Sequence, residues 1–559
     1  MNRISQVITQ PAYKGPAQSM LYALGLSPPD MNKAQIGIGS MYYDSNPCNA
    51  KLYKLSQRVQ NSINKHKDMI GFKFNTIGVS DGITMGTHGM NYSLPSRELI
   101  ADSVETITKA HYYDGLICIP GCDKNLPASL MGILRANRPG FIIYGGSMQP
   151  NYFQSKKLDI VSSFEAYGEL LNTTINQEQY DSIIQNSCHK ECGSCSGLYT
   201  ANTMASILEV MGITLPNSSS NPSMSSEKYE ECNKAGETME YLLENNIKPL
   251  DIITKESFEN AIKLTYLLGG STNAVIHLLA IAYNANIKLT LDDFSKFKKT
   301  PVITNMKPHG TNVMYDLYET GGMVSLLKYF IDENYINGDL KTITGKTISE
   351  NIDDKLNQHD NNQNDNAKTL IKHIKDTSHI NILYGNLAPD GCVAKDYNND
   401  RIPFYGSIRV FESEEDFIKK LEHGKVSNKE ALLIRNQGES IGCPEMLSAT
   451  SALVGYFGED NVPPLLTDGR FSGGSRGMLI AHLPDANIKD NITRYIQNDD
   501  KIYINLRHEE IMIILTHKEL EARKKNIDQD YYDSTMKPHQ HYVSKYSKLA
   551  SNIKYGFAT

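Results

Sequence analysis

The sequence predicts an α/β protein in two parts: an N-terminal doubly wound, mainly parallel sheet domain and a C-terminal β-rich, barrel-like domain. Three observations carry this. Before residue 351, short apolar runs alternate with helical patterns. Between 351 and 370 the composition turns sharply polar. From 371 on, strand-like runs are separated by turns and short helices. Alternating strands and helices favour a parallel sheet with crossover helices, and closely spaced strands favour a barrel or sandwich.

Taken in order, "FKFNTIGVS" (72–80) predicts a strand that runs into the loop "DGITMGTHG". "GLICIP" (115–120) predicts a short buried strand. "GCDKN" (121–125) follows it as a loop, and "LPASLMGILRAN" (126–137) has the apolar spacing of a helix. "GFIIYGG" (140–146) predicts the next strand. In doubly wound sheets ligands sit beyond the carboxyl ends of the strands, which is where Asp81 and the Cys122–Lys124 loop would lie.

The break is "NIDDKLNQHDNNQNDNAKTL" (351–370), rich in Asn, Asp and Gln and poor in large apolar groups, which predicts an exposed loop or linker. The expected organisation is therefore 1–350, a linker at 351–370, and 371–559. In the last part "GSIRVFES", "ALLIRNQ" and "KIYINLRHEEIMIILT" predict strands. "SEEDFIKKLEHG" predicts a helix capped by Ser413, with Asp416 three places on.

Composition narrows the function classes. A chain of 559 residues exceeds one ordinary core, and an apolar fraction of 40% suits a globular protein. Net charge is −7, with no Lys/Arg stripe, which argues against a nucleic-acid partner. No run of 18 apolar residues suggests a membrane span, and the first twenty residues resemble neither a signal nor a transit peptide, so a cytoplasmic setting is expected. The nine cysteines are few for the length and odd in number, unlike a secreted disulfide framework.

Several loops hold chemically loaded residues. Cys48 lies between turn formers in "NPCNAKL". Cys122 follows a strand. Cys195, in "ECGSCSGLYTANTM", lies between Gly193 and Gly197 just before an expected helix. A helix N-terminus favours the thiolate, the metal-binding form. Cys192 and Cys195 form a CxxC pair that could be redox-active, part of a zinc site, or incidental. Asp81, Asp123 and Glu445 sit in Gly- or Pro-rich loops. Each could be an ordinary turn cap, and three together would suit Mg²⁺, which takes a few carboxylates plus waters. Lys124 fits neither a soft nor a hard metal, because an ammonium has no lone pair to give. Ser472, in "TDGRFSGGSRG", is followed by two glycines that expose it and let backbone N–H groups face a ligand, although a plain turn has the same appearance.

Taken together, "NPCN", "NTIGVSDGITMGTHGMNYSLPSRELIADS", "CDKN", "GSCSGLYTANTM", "GGSTNAVIHLLAIA", "YGNLAPDGCVAK" and "TDGRFSGG" resemble the dihydroxy-acid dehydratases, in the larger family that includes sugar-acid and phosphogluconate dehydratases. Seven motifs in family order make the resemblance far more specific than any one of them. It runs from about residue 15 to the C-terminus. The chain departs from the family pattern at Ala128, in "ESIGCPEM" and in "AHLPDA", which contains His482.

The resemblance implies a hydro-lyase that converts 2,3-dihydroxy-carboxylates to 2-keto acids with an iron–sulfur cluster and Mg²⁺. It implies cluster ligation by Cys48, Cys122 and Cys195, with three cysteines favouring [2Fe–2S]. It implies magnesium ligation by Asp81, Asp123 and Glu445, a carbamylated Lys124, and proton abstraction by Ser472. Carbamylation would make the lysine a long carboxylate, which explains a lysine beside a metal-binding aspartate. The substrates expected are 2,3-dihydroxy-isovalerate and 2,3-dihydroxy-3-methylvalerate of branched-chain amino-acid biosynthesis, with a sugar-acid (aldonate) dehydratase as the alternative. A non-catalytic homologue and a zinc protein built on the CxxC are rivals from other classes. The family likeness further implies a homodimer.

Overall fold

The computed structural model describes residues 1–154, 156–357, 366–398, 402–527 and 541–559. Its N-terminal part is built on a four-stranded, all-parallel sheet in the order Met69–Asn75, Ala34–Ser40, Gly115–Ile119, Gly140–Ile142. The central strand Ala34–Ser40 is buried along its whole length, as a parallel strand covered on both faces should be. Strands lie at all three anticipated places, but the first is Met69–Asn75 and ends well short of residue 80, and the last is only Gly140–Ile142; the helix anticipated at 126–137 spans Asn125–Ala136. That helix ends at Asn137, whose left-handed φ of 46° lets its N–H close on the Ile133 carbonyl.

From Ile160 to Asp332 the chain is largely helical. Buried helices Thr200–Val210, Lys255–Leu268 and Asn273–Asn284 join the core of the parallel sheet. Helix Ile348–Asn357 covers the first residues of the polar stretch, burying Ile348, Asn351 and Ile352. Residues 358–365 of that stretch lie outside the described residues.

The C-terminal part closes an eight-stranded mixed barrel. Around it run Ala388–Lys395, Leu479–Ala481, Leu465–Thr467, Ala431–Ile434, Phe404–Phe411, Lys501–Asn505, Glu510–Ile514 and Ile380–Gly385, which returns to Ala388–Lys395. Its interior is filled by residues such as Leu383, Ile408, Leu433, Leu466, Ile480, Ile502 and Ile511. Helix Glu414–Glu422 follows the Ser413 cap, whose Oγ accepts from the Asp416 N–H at 3.1 Å. Among the described residues, no helix is long and apolar enough to cross a membrane.

This architecture brings two sets of strand ends together. Asp81 follows Met69–Asn75, and Cys122–Lys124 follow Gly115–Ile119. Glu445 follows Ala431–Ile434, and Ser472 follows Leu465–Thr467. Glu445–Met446 and Arg470–Phe471 form their own small parallel pair, Glu445 opposite Arg470 and Met446 opposite Phe471.

Candidate functional site

Three loops bring Cys48, Cys122 and Cys195 together. Cys48 is held by Asn46, whose Oδ1 accepts from the Cys48 N–H at 3.0 Å while its Nδ2 donates to the Gly78 carbonyl at 3.0 Å. Asn125 Oδ1 accepts from the Cys122 N–H at 3.0 Å. Asn202 fixes the third loop, donating to the carbonyls of Cys195 at 2.6 Å and Gly197 at 2.7 Å, and is itself held by Tyr144 Oη at 2.8 Å. Ser194 Oγ ties this loop to the Gly121 carbonyl. Gly121 has no room for a side chain: a Cβ there would lie 2.3 Å from the Cys48 carbonyl oxygen.

Contact with Cys122 and Cys195, and then burial, pushes the Cys48 thiol far above its usual range. Three crowded thiols cannot all ionise without a cation to share, and a soft metal centre supplies one. Of the remaining cysteines, Cys118, Cys232, Cys392 and Cys443 are buried hydrophobes. The Cys192 thiol faces the Lys190 carbonyl.

Beside the thiols lies a carboxylate cluster. Asp81, Asp123 and Glu445 are buried, and each offers an oxygen within 4.8 Å of the others. The Lys124 ammonium sits among them, paired with Asp81, 2.7 Å from Glu445 Oε2 and 3.6 Å from Asp123. Burial alone would pull this ammonium down, but Asp81 and Glu445 outweigh it and hold it above the ordinary lysine range. Burial pushes Asp123 up to about 7, against the pull of Lys124. Asp81 Oδ1 is fixed by Ser93 Oγ at 2.6 Å.

Glu445 is the most constrained member. Its Oε2 accepts from Lys124, from Asn273 Nδ2 at 2.9 Å and from Arg470 NH1 at 2.8 Å. Its Oε1 is buried with no hydrogen-bond partner among the described residues. A carboxylate with one oxygen held by three donors and the other vacant is oriented for a cation. The donor set, all oxygens, suits a hard divalent ion such as Mg²⁺.

Ser472 lies at the carboxyl end of the Glu445/Arg470 pair. Its N–H donates to the Met446 carbonyl at 3.1 Å, and its Oγ accepts from the Gly474 N–H at 3.4 Å. Gly473 packs against the N-terminus of helix Thr200–Val210, where a Cβ would lie 2.8 Å from the Thr200 nitrogen. His482 is buried against Phe557, with ring centroids 5.6 Å apart. Burial, with Arg470 nearby, pulls its imidazole down to about 3 and leaves it a weak base. One face of the site is apolar: Met85, Met90, Val161, Tyr199 and Leu447 form a cluster against which Cys195 packs. A cavity of about 530 Å³ lies beside Met85, lined also by Phe164, Tyr167, Glu414, Ile418 and Lys419, and none of the thiols, the carboxylates or Ser472 borders it.

The structure thus gathers the sequence-predicted residues into two adjoining groups, thiols and carboxylates, bridged by consecutive residues Cys122, Asp123 and Lys124. Sequence reasoning did not single out Asn273, Arg470 or Ser93. All three lie inside the quoted motifs, Ser93 in the one that begins at Asn75, Asn273 in "GGSTNAVIHLLAIA" and Arg470 in "TDGRFSGG", so a polar group within a motif was the signal.

Comparison with known proteins gives a consistent result. The family profile described as Dihydroxy-acid/6-phosphogluconate dehydratase N-terminal matches residues 33–351, and the corresponding C-terminal profile matches 367–557. A dihydroxy-acid dehydratase of Francisella tularensis subsp. novicida is 43% identical over 563 residues, covering 100% of this chain and 99% of that one. One from Lactococcus lactis subsp. lactis is 42% identical, covering 100% and 97%. A mitochondrial one from Aspergillus fumigatus is 46% identical over 534 residues, covering 94% and 87%.

Proposed function

The chain belongs to the dihydroxy-acid/6-phosphogluconate dehydratase family, and from that premise we propose that it is a hydro-lyase that dehydrates 2,3-dihydroxy-isovalerate and 2,3-dihydroxy-3-methylvalerate to 2-keto acids in branched-chain amino-acid biosynthesis. The observation that favours these substrates over sugar acids is the apolar cluster of Met85, Met90, Val161, Tyr199 and Leu447 beside the thiols. A branched alkyl group is stabilised by leaving water for such a surface, whereas a polyol chain would lose hydrogen bonds there.

In this reading Cys48, Cys122 and Cys195 hold a [2Fe–2S] cluster, and Asp81, Asp123 and Glu445 with carbamylated Lys124 hold Mg²⁺. When bound, these groups supply Lewis acidity toward the leaving 3-hydroxyl and toward the carboxylate and 2-hydroxyl. Charge balance supports the exchange at Lys124. Without modification, three carboxylates face two cations, Lys124 and Arg470, for a net charge of minus one. With a carbamate, four anionic groups face one guanidinium and a divalent ion, again minus one. The buried cluster changes occupant without changing its net charge.

The chain's own part in the reaction is proton transfer and positioning. Ser472 Oγ, in its ionised form, takes the proton from C2. The C2–H electron pair becomes the C2–C3 double bond as the 3-hydroxyl departs, and the enol tautomerises to the keto acid. Asn273 and Arg470 hold Glu445, and Asn202 and Asn46 hold the thiol loops. The same proposal includes a cytoplasmic homodimer and a division of the chain near 351–370. The test is turnover of anaerobically purified protein on 2,3-dihydroxy-isovalerate and on an aldonate side by side. Turnover of the aldonate alone would overturn the substrate assignment.

A further inference from the structure

Lys395 ends the barrel strand Ala388–Lys395, paired with Leu479 on one side and Ile380 on the other. Its side chain is buried, and among the described residues no carboxylate lies at ion-pair distance. Instead Nζ donates to the Ser475 carbonyl at 2.9 Å and the Gly473 carbonyl at 3.2 Å, and lies 5.4 Å from the centre of the Tyr397 ring. Tyr397 is sandwiched between His309 and His379, with centroids at 4.4 and 4.9 Å. Its hydroxyl donates to the Gly269 carbonyl at 3.0 Å. The titratable groups facing Lys395 are Arg476 from the serine turn and these two histidines, both held neutral by burial. Burial, with Arg476 alongside, pulls the lysine down to about 7. Two carbonyls and an aromatic face are what the fold offers the ammonium in return.

The peptide unit joining Gly473 to Gly474 connects this ammonium to Ser472. Its carbonyl oxygen, on Gly473, accepts from Lys395, and its N–H, on Gly474, donates to Ser472 Oγ. In a planar trans peptide the C=O and N–H point in opposite directions. A cation bound at the oxygen therefore fixes where the hydrogen points, and it polarises the unit so that the N–H becomes a stronger donor. The rest of the turn is fixed as well. The Ser475 N–H closes on the Ser472 carbonyl at 3.1 Å, and Ser475 Oγ meets Thr450 Oγ1 at 2.8 Å.

We propose that Lys395 is a positioning residue for the dehydration: through the Gly473–Gly474 peptide it aims an N–H at Ser472 Oγ and favours the anionic form of that oxygen. The inference rests on Ser472 being the base. At 3.4 Å the Gly474 bond is long for a neutral hydroxyl, as bonds that tighten on charge development often are before substrate binds.

The test places a thiol at position 472 with Ser472→Cys, alone and combined with Lys395→Met or Lys395→Gln, in anaerobically purified enzyme. Iodoacetamide labelling of that thiol is followed against pH by peptide mass spectrometry, which separates it from the native cysteines. Below about pH 7, where Lys395 carries its proton, adding Lys395→Met should slow labelling of the thiol by up to about tenfold, and the difference should fade as the pH rises above that. Lys395→Gln, which keeps an N–H donor without the charge, should fall between, and it carries the test if Lys395→Met does not fold. With Ser472 intact, Lys395→Met should lower kcat by about 10- to 100-fold and leave KM nearly unchanged. An unchanged thiol titration overturns the proposal, and so does lowered thermal stability with an unchanged titration, which marks a purely structural lysine. Full turnover by Ser472→Ala would instead overturn the base assignment, and the thiol titration would still decide what Lys395 does at that position.

Discussion

Glu445 and Arg470 face each other across a two-residue parallel pair, and one guanidinium nitrogen of Arg470 donates to Glu445 Oε2 at 2.8 Å while Glu445 Oε1 is left vacant. Arg470 also donates to the Cys443 carbonyl at 2.7 Å and to Asn273 Oδ1 at 3.1 Å. The carboxylate is therefore held from behind, and removing the guanidinium should loosen metal affinity rather than abolish it. Arg470→Met is expected to weaken binding of Mn²⁺, used as a spectroscopic substitute for Mg²⁺, by about 10- to 100-fold in an electron paramagnetic resonance titration. Unchanged Mn²⁺ affinity would show that Arg470 does not orient Glu445.

The thiol cluster predicts a division among the cysteines. Cys48→Ser, Cys122→Ser and Cys195→Ser should each yield protein that lacks iron, acid-labile sulfide and colour after anaerobic purification. Cys192→Ser should retain them, because its thiol faces the Lys190 carbonyl instead. Gly121→Ala tests the same geometry without touching a thiol. Its Cβ would press on the Cys48 carbonyl from 2.3 Å, so iron content should fall although every cysteine remains. A bleached Cys192→Ser beside a coloured Cys48→Ser would reverse the assignment.

Lys124 predicts a dependence on carbon dioxide. If its amine is carbamylated, activity regained on reconstitution with Mg²⁺ should rise with added bicarbonate. Lys124→Arg should stay inactive, because guanidinium keeps its charge and offers no acceptor. An active Lys124→Arg enzyme would mean that a plain cation suffices among Asp81, Asp123 and Glu445.

Acid sensitivity should come from histidines. His309 and His379 flank Tyr397, and burial pulls His309 down to about 4 and His379 well below its usual range. A group whose folded pKa is depressed contributes its full stability above the unfolded value, and that stability is lost as pH falls toward the folded value. For His309 the window runs from about 6.5 down to about 4, with a slope of up to about 1.4 kcal/mol per pH unit. His309→Phe keeps a ring on Tyr397 but loses the bond to the Thr304 carbonyl, which should cost about 1 kcal/mol near neutrality. The same variant should have a shallower loss of stability below pH 6.5 in denaturant melts. An acid slope equal to that of the wild type would place the titration elsewhere.

Much of this organisation was legible in the sequence because strands ending in Gly-rich loops announce themselves. "GLICIP" followed by "GCDKN" gave both a strand and the bridge between the two groups. The central strand Ala34–Ser40 gives no such signal, because "AQIGIGS" is diluted by glycines that weaken a strand pattern. Its glycines have a tertiary cause: a Cβ at Gly37 would lie 2.5 Å from the Tyr113 ring, and one at Gly39 would lie 2.7 Å from that of Phe74. In the helical stretch from 160 to 332 only the helix after Cys195 was legible, since helices such as Asn273–Asn284 are buried nearly all round and lack an amphipathic stripe. Arg470 and Asn273 were hidden for a related reason. Their importance depends on a carboxylate that approaches from 25 residues away in one case and 172 in the other, and local pattern does not report such contacts.

The base assignment makes the most specific prediction. Ser472 is buried, follows a barrel strand, and has an Oγ that accepts from the Gly474 N–H. A serine hydroxyl is far too weak an acid to ionise unaided at neutral pH, so its surroundings must favour the anion. The Gly474 N–H is one such contribution from the chain. Ser472→Ala removes only the oxygen. The variant should keep its iron and colour, bind substrate with little change, and lose about 10² to 10⁴ in kcat. If Ser472 merely positioned the carboxylate, the substitution would raise KM and spare kcat. Exchange of the C2 hydrogen with deuterated solvent separates the two cases, because an enzyme without its base should neither exchange that hydrogen nor turn over. Near-normal kcat and exchange in Ser472→Ala would pass the role to another group. His482 would be examined next, although burial with Arg470 nearby pulls it down to about 3 and makes it a poor proton acceptor.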